Sequence, residues 1–116
     1  MFDKQEMKKE VLDLFHKIED KNTIVEGKRD REVLCSFGLK KVETINQGIY
    51  EIAEKLEGKD VAILTDFDKE GRKIAKKLYI FLQSLNCKID FQARKKLGVI
   101  LKKMKIKTIE ELKCLK

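Results

Sequence analysis

The fold is decided by the stretch Ala62-Ile63-Leu64-Thr65-Asp66-Phe67-Asp68-Lys69-Glu70-Gly71. This stretch begins as a short apolar run and ends abruptly in two aspartates, which are followed by a glycine. A near-continuous apolar run of this length is typical of a strand in a parallel sheet that is covered on both faces. We therefore expect a buried strand over 60–65 that delivers two carboxylates to its exposed carboxyl end.

Strands and helices alternate along the rest of the chain. The apolar periodicity predicts further strands at 22–25, 41–45 and 87–91, and helices at about 3–20, 30–37, 48–56 and 74–85. Residues 92–116 are helical in pattern, and Thr108 and Glu111 form a possible capping box within them, which indicates a helix start. Strands that are separated by helices of this length imply crossover connections and a parallel sheet. The sequence therefore predicts an α/β fold with a four-stranded parallel sheet and helices on both faces.

The composition is that of a single soluble domain. The chain has 116 residues, of which 41% are charged and 42% are apolar. No apolar run is long enough to span a membrane, and the amino-terminal residues lack the apolar core of a secretory signal. The three cysteines form no C-x-x-C pair, which argues against a zinc site and favours reduced thiols. We expect a cytoplasmic protein that does not contact membranes.

The positive charge is concentrated in one segment. Residues 92–107 hold seven basic side chains and no acid, and the net charge of the whole chain is +7. A local basic patch suits a polyanion such as RNA or DNA. A solvated helix face in a lysine-rich protein is the alternative, and charge alone does not separate the two.

A second strand end carries another acid. The run Thr23-Ile24-Val25-Glu26-Gly27-Lys28 repeats the design of an apolar strand followed by a carboxylate. Ligands of open α/β sheets bind where the strand order reverses, so Glu26, Asp66 and Asp68 converge if their strands are neighbours. Three close carboxylates repel one another, and a hard divalent cation such as Mg²⁺ relieves that repulsion. For either aspartate, the alternative is a cap on the following helix.

Further candidates flank these acids. Gly27 and Gly71 follow them at points where the backbone turns sharply or approaches a phosphate closely. Lys28 is either a phosphate ligand or an ordinary exposed lysine. Asp30 either reaches the acids or caps its own helix, and Arg72 either contacts nucleic acid or decorates a helix surface.

The two motifs together resemble the Toprim domain family, the catalytic module of topoisomerases, bacterial-type primases and certain nucleases. Residues 25–30 are similar to the first motif of the primases and of the ribonuclease M5 branch. Residues 65–71 are similar to the second motif of type IA topoisomerases and M5-like nucleases. The resemblance covers roughly residues 20–90, which leaves an amino-terminal helix and a basic carboxyl-terminal extension.

The resemblance implies a Rossmann-like Toprim fold for residues 1–116 and assigns roles to the candidates. Glu26 would act as general acid or base, and Asp66 and Asp68 would hold Mg²⁺ or Mn²⁺ together with Glu26. Lys28 and Asp30 would assist the binding of the phosphate or the metal. Apart from the resemblance, we expect substrate contacts from the residues that flank the acids and from the basic segment, namely Gly27, Asp30, Gly71, Arg72, Arg94, Lys95 and Lys96.

We therefore expect Mg²⁺-dependent phosphodiester chemistry on RNA or DNA, as in an endonuclease similar to ribonuclease M5 or a nucleotidyl-transfer module. The alternative is a non-catalytic module that binds nucleic acid or protein. Arg72 stands where many topoisomerase motifs carry a third acid, which puts a second metal in doubt. The length of 116 residues does not accommodate a complete topoisomerase or primase, so we expect a stand-alone small Toprim protein.

Overall fold

A computed structural model describes residues 2–116, and within them the chain forms four strands, five α-helices and one 3₁₀ helix. The elements in chain order are α1 (Lys4–Ile18), β1 (Asn22–Val25), α2 (Lys28–Ser36), β2 (Val42–Thr44), α3 (Ile49–Lys55), β3 (Asp60–Ile63), α4 (Lys69–Ser84), β4 (Lys88–Ile89), α5 (Phe91–Met104) and the 3₁₀ helix Glu110–Leu115. The predicted α/β fold with a four-stranded parallel sheet is confirmed.

The sheet has the strand order β2-β1-β3-β4, and every pair of neighbours is parallel. The chain starts near the middle of the sheet, builds outward to β2 and then crosses to the other side. β1 and β3 are therefore neighbours, in a register that pairs Thr23 with Ala62 and Ile24 with Ile63. The strand order reverses between them, which is the point where ligands bind in sheets of this type.

The strand side chains alternate between two apolar layers. Ile24, Val61 and Ile63 pack with residues of α3 and α4 on one face. Val25, Ala62 and Leu64 pack on the other face with α1, α2, α5 and the 3₁₀ helix. Because both faces are covered, β1 and β3 carry apolar side chains on both sides, as the sequence pattern of β3 indicated.

The residues beyond the Toprim-like segment belong to this core. Leu97 and Leu101 of α5 and Leu112 of the 3₁₀ helix are completely or almost completely buried. The expected carboxyl-terminal extension therefore packs directly on the sheet and supplies much of one layer.

Helix caps explain where the observed boundaries depart from the predicted ones. The predicted strand at 87–91 ends at Ile89, because Asp90 accepts a hydrogen bond from the Ala93 amide (3.0 Å) and starts α5 at Phe91. Helix α4 begins at Lys69, earlier than the apolar periodicity indicated, because Asp68 caps it. Among residues 2–116, no helix combines the length and apolarity that crossing a membrane requires.

Candidate metal centre

Three carboxylates meet at the carboxyl ends of β1 and β3. Glu26 follows β1, and Asp66 and Asp68 lie in the loop between β3 and α4. One carboxylate oxygen from each lies within 4.8 Å of those of the other two. Among residues 2–116, no other group of three potential metal ligands is this compact. The structure thus brings together the three acids that the sequence singled out, because β1 and β3 are neighbours.

Each of these acids is held by a backbone amide. The Glu26 Oε2 atom accepts a hydrogen bond from the Asp66 amide (2.8 Å), and the Asp68 Oδ1 atom accepts one from the Gly71 amide (2.8 Å). The Asp66 Oδ1 atom accepts one from the Ile109 amide (2.8 Å). One oxygen of each carboxylate is thereby held in place by the backbone.

Burial and mutual repulsion make ionisation of Glu26 and Asp66 less favourable. Burial raises the pKa of Glu26, and the neighbouring Asp66 and Asp68 carboxylates raise it further, against the opposing effect of the hydrogen bond from the Asp66 amide. Burial also raises the pKa of Asp66; the Ile109 amide opposes this, and the charge of Asp68 adds to it. A divalent cation would remove this penalty, because it favours the ionised form of every carboxylate around it.

Asp68 both caps a helix and belongs to the cluster. It is the N-cap of α4 through Oδ1. The cluster needs only one oxygen of each acid, so a side chain that caps a helix with Oδ1 still has Oδ2 for a ligand. The two alternatives that the sequence left open for this aspartate are therefore compatible.

Asp30 caps its own helix. Its Oδ2 atom accepts a hydrogen bond from the Gly27 amide (3.2 Å) at the start of α2. Burial raises the pKa of Asp30, and the charge of Asp66 raises it further. Asp30 is nevertheless outside the group of three. Lys28 is the first residue of α2 and is exposed.

Gly71 and Gly27 differ in the space that a side chain would have. A Cβ atom on Gly71 would overlap the backbone carbonyl of Asp66, so only glycine fits beneath this loop. Gly27 has an extended backbone with φ −145°, and a Cβ there would meet nothing within 4 Å. A sharp turn, one of the two reasons expected for glycine at this position, is therefore ruled out, and close approach of a phosphate stays a prediction.

Arg94, the first basic residue of α5, makes its contacts inside the protein. The Arg94 guanidinium donates to the carbonyls of Thr65 (2.8 Å), Asp66 (3.0 Å) and Ile63 (3.3 Å), and it lies 4.2 Å from the ring centroid of Phe67. Burial lowers the pKa of Arg94 to about 10. Its donors thus have partners inside the protein, which makes it a positioning residue for the Asp66 loop.

Lys95 and Lys96 are exposed. Lys96 lines a groove with Glu10, Asp13 and Lys17 of α1. This groove is separate from the acid cluster, because none of the three acids lines it. The substrate contacts predicted for Lys95 and Lys96 stay predictions, as does the one for the exposed Arg72.

The segment after α5 also supports the site, and sequence reasoning missed this contribution. The Lys107 carbonyl accepts a hydrogen bond from the Phe67 amide (2.6 Å), and the Ile109 amide holds Asp66. Both contacts use backbone atoms, which carry no signature in the sequence. The Thr108 and Glu111 pair, which hydrogen-bond each other at 2.6 Å, indicated only a possible helix start here.

Known proteins share both the motifs and the fold. Residues 7–96 match the Toprim domain family. A UPF0292 protein of Pyrococcus abyssi is 41% identical over 93 residues, which is 77% of this chain and 69% of the relative. A UPF0292 protein of Thermococcus gammatolerans is 37% identical over 110 residues, or 90% and 81% of the two chains. A solved structure from Aquifex aeolicus superposes with a TM-score of 0.71 at 32% identity and covers 92% of this chain and 95% of its own.

Proposed function

We propose, because this chain belongs to the Toprim domain family, that it catalyses Mg²⁺-dependent phosphodiester cleavage of nucleic acid. The family points to a metal-binding, nucleic-acid-related function in general. The finer assignment, an endonuclease similar to ribonuclease M5, is supported by one observation: three carboxylates converge within 4.8 Å at the switch point of the sheet.

The donor set fits a hard divalent cation. All three candidate ligands are carboxylate oxygens, the donor type that Mg²⁺ and Mn²⁺ take in proteins. Asp66 and Asp68 would hold the metal together with Glu26. When bound, the metal would polarise a phosphate and stabilise the charge that develops during cleavage.

The remaining chemistry falls to side chains of the chain itself. Glu26 is half-buried and its pKa is raised, mainly by burial, which is the direction of shift that favours a general acid or base. Its Oε2 atom accepts a hydrogen bond from the Asp66 amide, which orients the carboxylate within the cluster. Lys28 is exposed at the amino end of α2, where an anionic oxygen is favoured.

A cleavage assay on structured RNA and DNA with Mg²⁺ tests this proposal. Glu26→Gln keeps the shape of the side chain and its hydrogen bond but removes the charge. We expect it to lower the cleavage rate by about 10²-fold or more, the usual effect of losing a general acid or base. Glu70→Gln is the matched control, since Glu70 is exposed in the first turn of α4 and lies outside the cluster.

Two results would contradict the proposal. Equal activity of wild type and Glu26→Gln would remove the catalytic role of Glu26. Nucleic-acid binding without any turnover, unchanged by EDTA and by Asp66→Asn, would instead indicate a non-catalytic binding module.

A further inference from the structure

A groove with a basic rim opens beside the acid cluster. It has a volume of about 480 Å³, and its lining includes Arg72 of α4 and three lysines from the end of α5 and beyond, Lys102, Lys105 and Lys107. All four side chains are exposed, and no carboxylate lines the groove. We call this surface the basic groove.

The four cations have no acidic partner among the described residues. Lys21, Lys55 and Lys103 each lie within 4.0 Å of a carboxylate, whereas no such ion pair in residues 2–116 involves Arg72 or the three groove lysines. Four unneutralised positive charges around one groove attract an anion with several charges, such as a phosphodiester backbone.

The rest of the lining is apolar. Phe67, Leu101 and Ile106 contribute to it, together with Gly98. A Cβ atom at Gly98 would lie 3.0 Å from the Phe67 ring, so the ring packs directly against the backbone there and no side chain covers it from that position. Cations around an apolar, partly aromatic lining are the chemistry that binds single-stranded nucleic acid, since phosphates meet the cations and bases meet the apolar surface.

The loop that contains Phe67 borders both the basic groove and the acid cluster. Phe67 lies in the chain between Asp66 and Asp68, and its amide donates to the Lys107 carbonyl. Two residues further on, the Ile109 amide holds Asp66. A nucleotide in the groove would therefore be a near neighbour of a phosphate at the cluster.

We propose that the basic groove binds an unpaired nucleotide next to the reacting phosphate, so that the preferred substrate is single-stranded or carries an unpaired segment at that point. A base inside a duplex is stacked and paired and cannot reach an apolar lining. The position of the reacting phosphate rests on the proposed function; the binding of a strand in the groove does not.

Fluorescence anisotropy in EDTA tests this site without turnover. The probes are a labelled single strand of about 12 nucleotides and the corresponding blunt duplex. The test variant is Lys102→Gln/Lys105→Gln/Lys107→Gln. Its control, Lys40→Gln/Lys59→Gln/Lys88→Gln, removes the same charge from exposed lysines at the amino ends of the parallel strands.

We expect wild type to bind the single strand at least about 10-fold more tightly than the duplex, consistent with stacking worth roughly 1–3 kcal/mol per base. The groove variant should lose at least about 10-fold in single-strand affinity and lower the salt slope by about 2, since each phosphate contact contributes roughly 0.7. The control should change affinity less than about threefold. Equal losses in the two variants, or duplex affinity equal to that for the single strand, would overturn the proposal.

A second pair of variants tests the apolar lining. Gly98→Leu places a side chain against the Phe67 ring in the groove lining, and Val99→Leu places the same side chain on the exposed neighbouring position. We expect Gly98→Leu alone to weaken single-strand binding several-fold; unchanged binding by the folded variant would contradict the apolar part of the site. These assays measure binding and not cleavage. Failure of the groove proposal would therefore appear in the binding data, whereas failure of the catalytic proposal would appear only in the cleavage assay.

Discussion

At the scale of single residues, acids of the site also accept hydrogen bonds from the backbone around them. Asp68 caps α4 with Oδ1, and Glu26 braces the Asp66 amide with Oε2. Each acid is thus oriented before a ligand arrives, which lowers the cost of ordering the site on binding. The charge repulsion that remains is the penalty a cation would relieve.

The two glycines beside the acids provide a residue-scale prediction. Gly71→Ala places a Cβ against the Asp66 carbonyl, and we expect the displaced loop to cost roughly 1–3 kcal/mol in the free energy of unfolding. It should also weaken Mn²⁺ binding, because Asp66 and Asp68 both lie in that loop. Urea unfolding and a calorimetric Mn²⁺ titration measure the two effects.

Gly27→Ala is the matched control for the unfolding measurement. Its Cβ meets open space on an extended backbone, so the free energy of unfolding should change by less than about 0.5 kcal/mol. If Gly71→Ala were as stable as Gly27→Ala and bound Mn²⁺ normally, the close contact at Asp66 would not constrain the loop.

At the scale of secondary structure, α5 positions the end of β3. Strand β3 ends at Ile63, and beyond it the backbone carbonyls of Thr65 and Asp66 find a donor in the Arg94 guanidinium. Buried backbone carbonyls need such partners. Helix α5 therefore helps to fix the loop that carries the two aspartates.

Replacing Arg94 tests this role. Arg94→Met keeps much of the aliphatic volume but leaves the carbonyls without their donor, and we expect a loss of about 2 kcal/mol or more in the free energy of unfolding. Mn²⁺ affinity should fall with it, because Asp66 loses a fixed backbone. Chemical denaturation and the same metal titration provide the measurement.

Lys95→Met is the control on the same helix, since Lys95 is exposed and is expected to change stability by less than about 0.5 kcal/mol. Normal stability and metal affinity in Arg94→Met would show that these hydrogen bonds do not position the loop. Arg94→Lys should rescue only part of the effect, because one ammonium group cannot reproduce the planar fork of donors.

At the scale of the whole molecule, the apolar layer that includes α1 and the 3₁₀ helix also supports the site. Residues of α1, α5 and the 3₁₀ helix pack together against the sheet. The amide that holds Asp66 comes from Ile109, which is itself fully buried at the start of this last helix. Stability of the core and geometry of the site are therefore coupled.

The matched pair Leu112→Ala and Leu12→Ala tests this coupling. Leu112 is fully buried in the 3₁₀ helix, so its truncation should cost about 2–5 kcal/mol and also weaken Mn²⁺ binding by loosening the Ile109 contact. Leu12 of α1 is 40% exposed and should cost much less. Thermal unfolding and metal titration at a temperature where both variants are folded measure the effects; intact Mn²⁺ affinity in Leu112→Ala would disprove the coupling.

The fold class, the position of most elements and the three acids of the cluster can be predicted from the sequence alone. These features are local: apolar periodicity marks β1 and β3, and an acid placed at a strand end is readable from its neighbours. Parallel strands bring their carboxyl ends to one edge of the sheet, so the three acids converge if β1 and β3 are neighbours. Family motifs in residues 25–30 and 65–71 pointed to the same acids.

The contacts that hold and surround the cluster come from tertiary structure. Arg94 reaches the Asp66 carbonyl across 28 residues of sequence, and the Ile109 amide reaches the Asp66 carboxylate across 43. Both contacts depend on backbone groups, which every residue possesses and no pattern of side chains reveals. The basic groove likewise exists only because the chain after α5 folds back along the Phe67 loop, so that charges spread over a basic stretch come to surround one cavity.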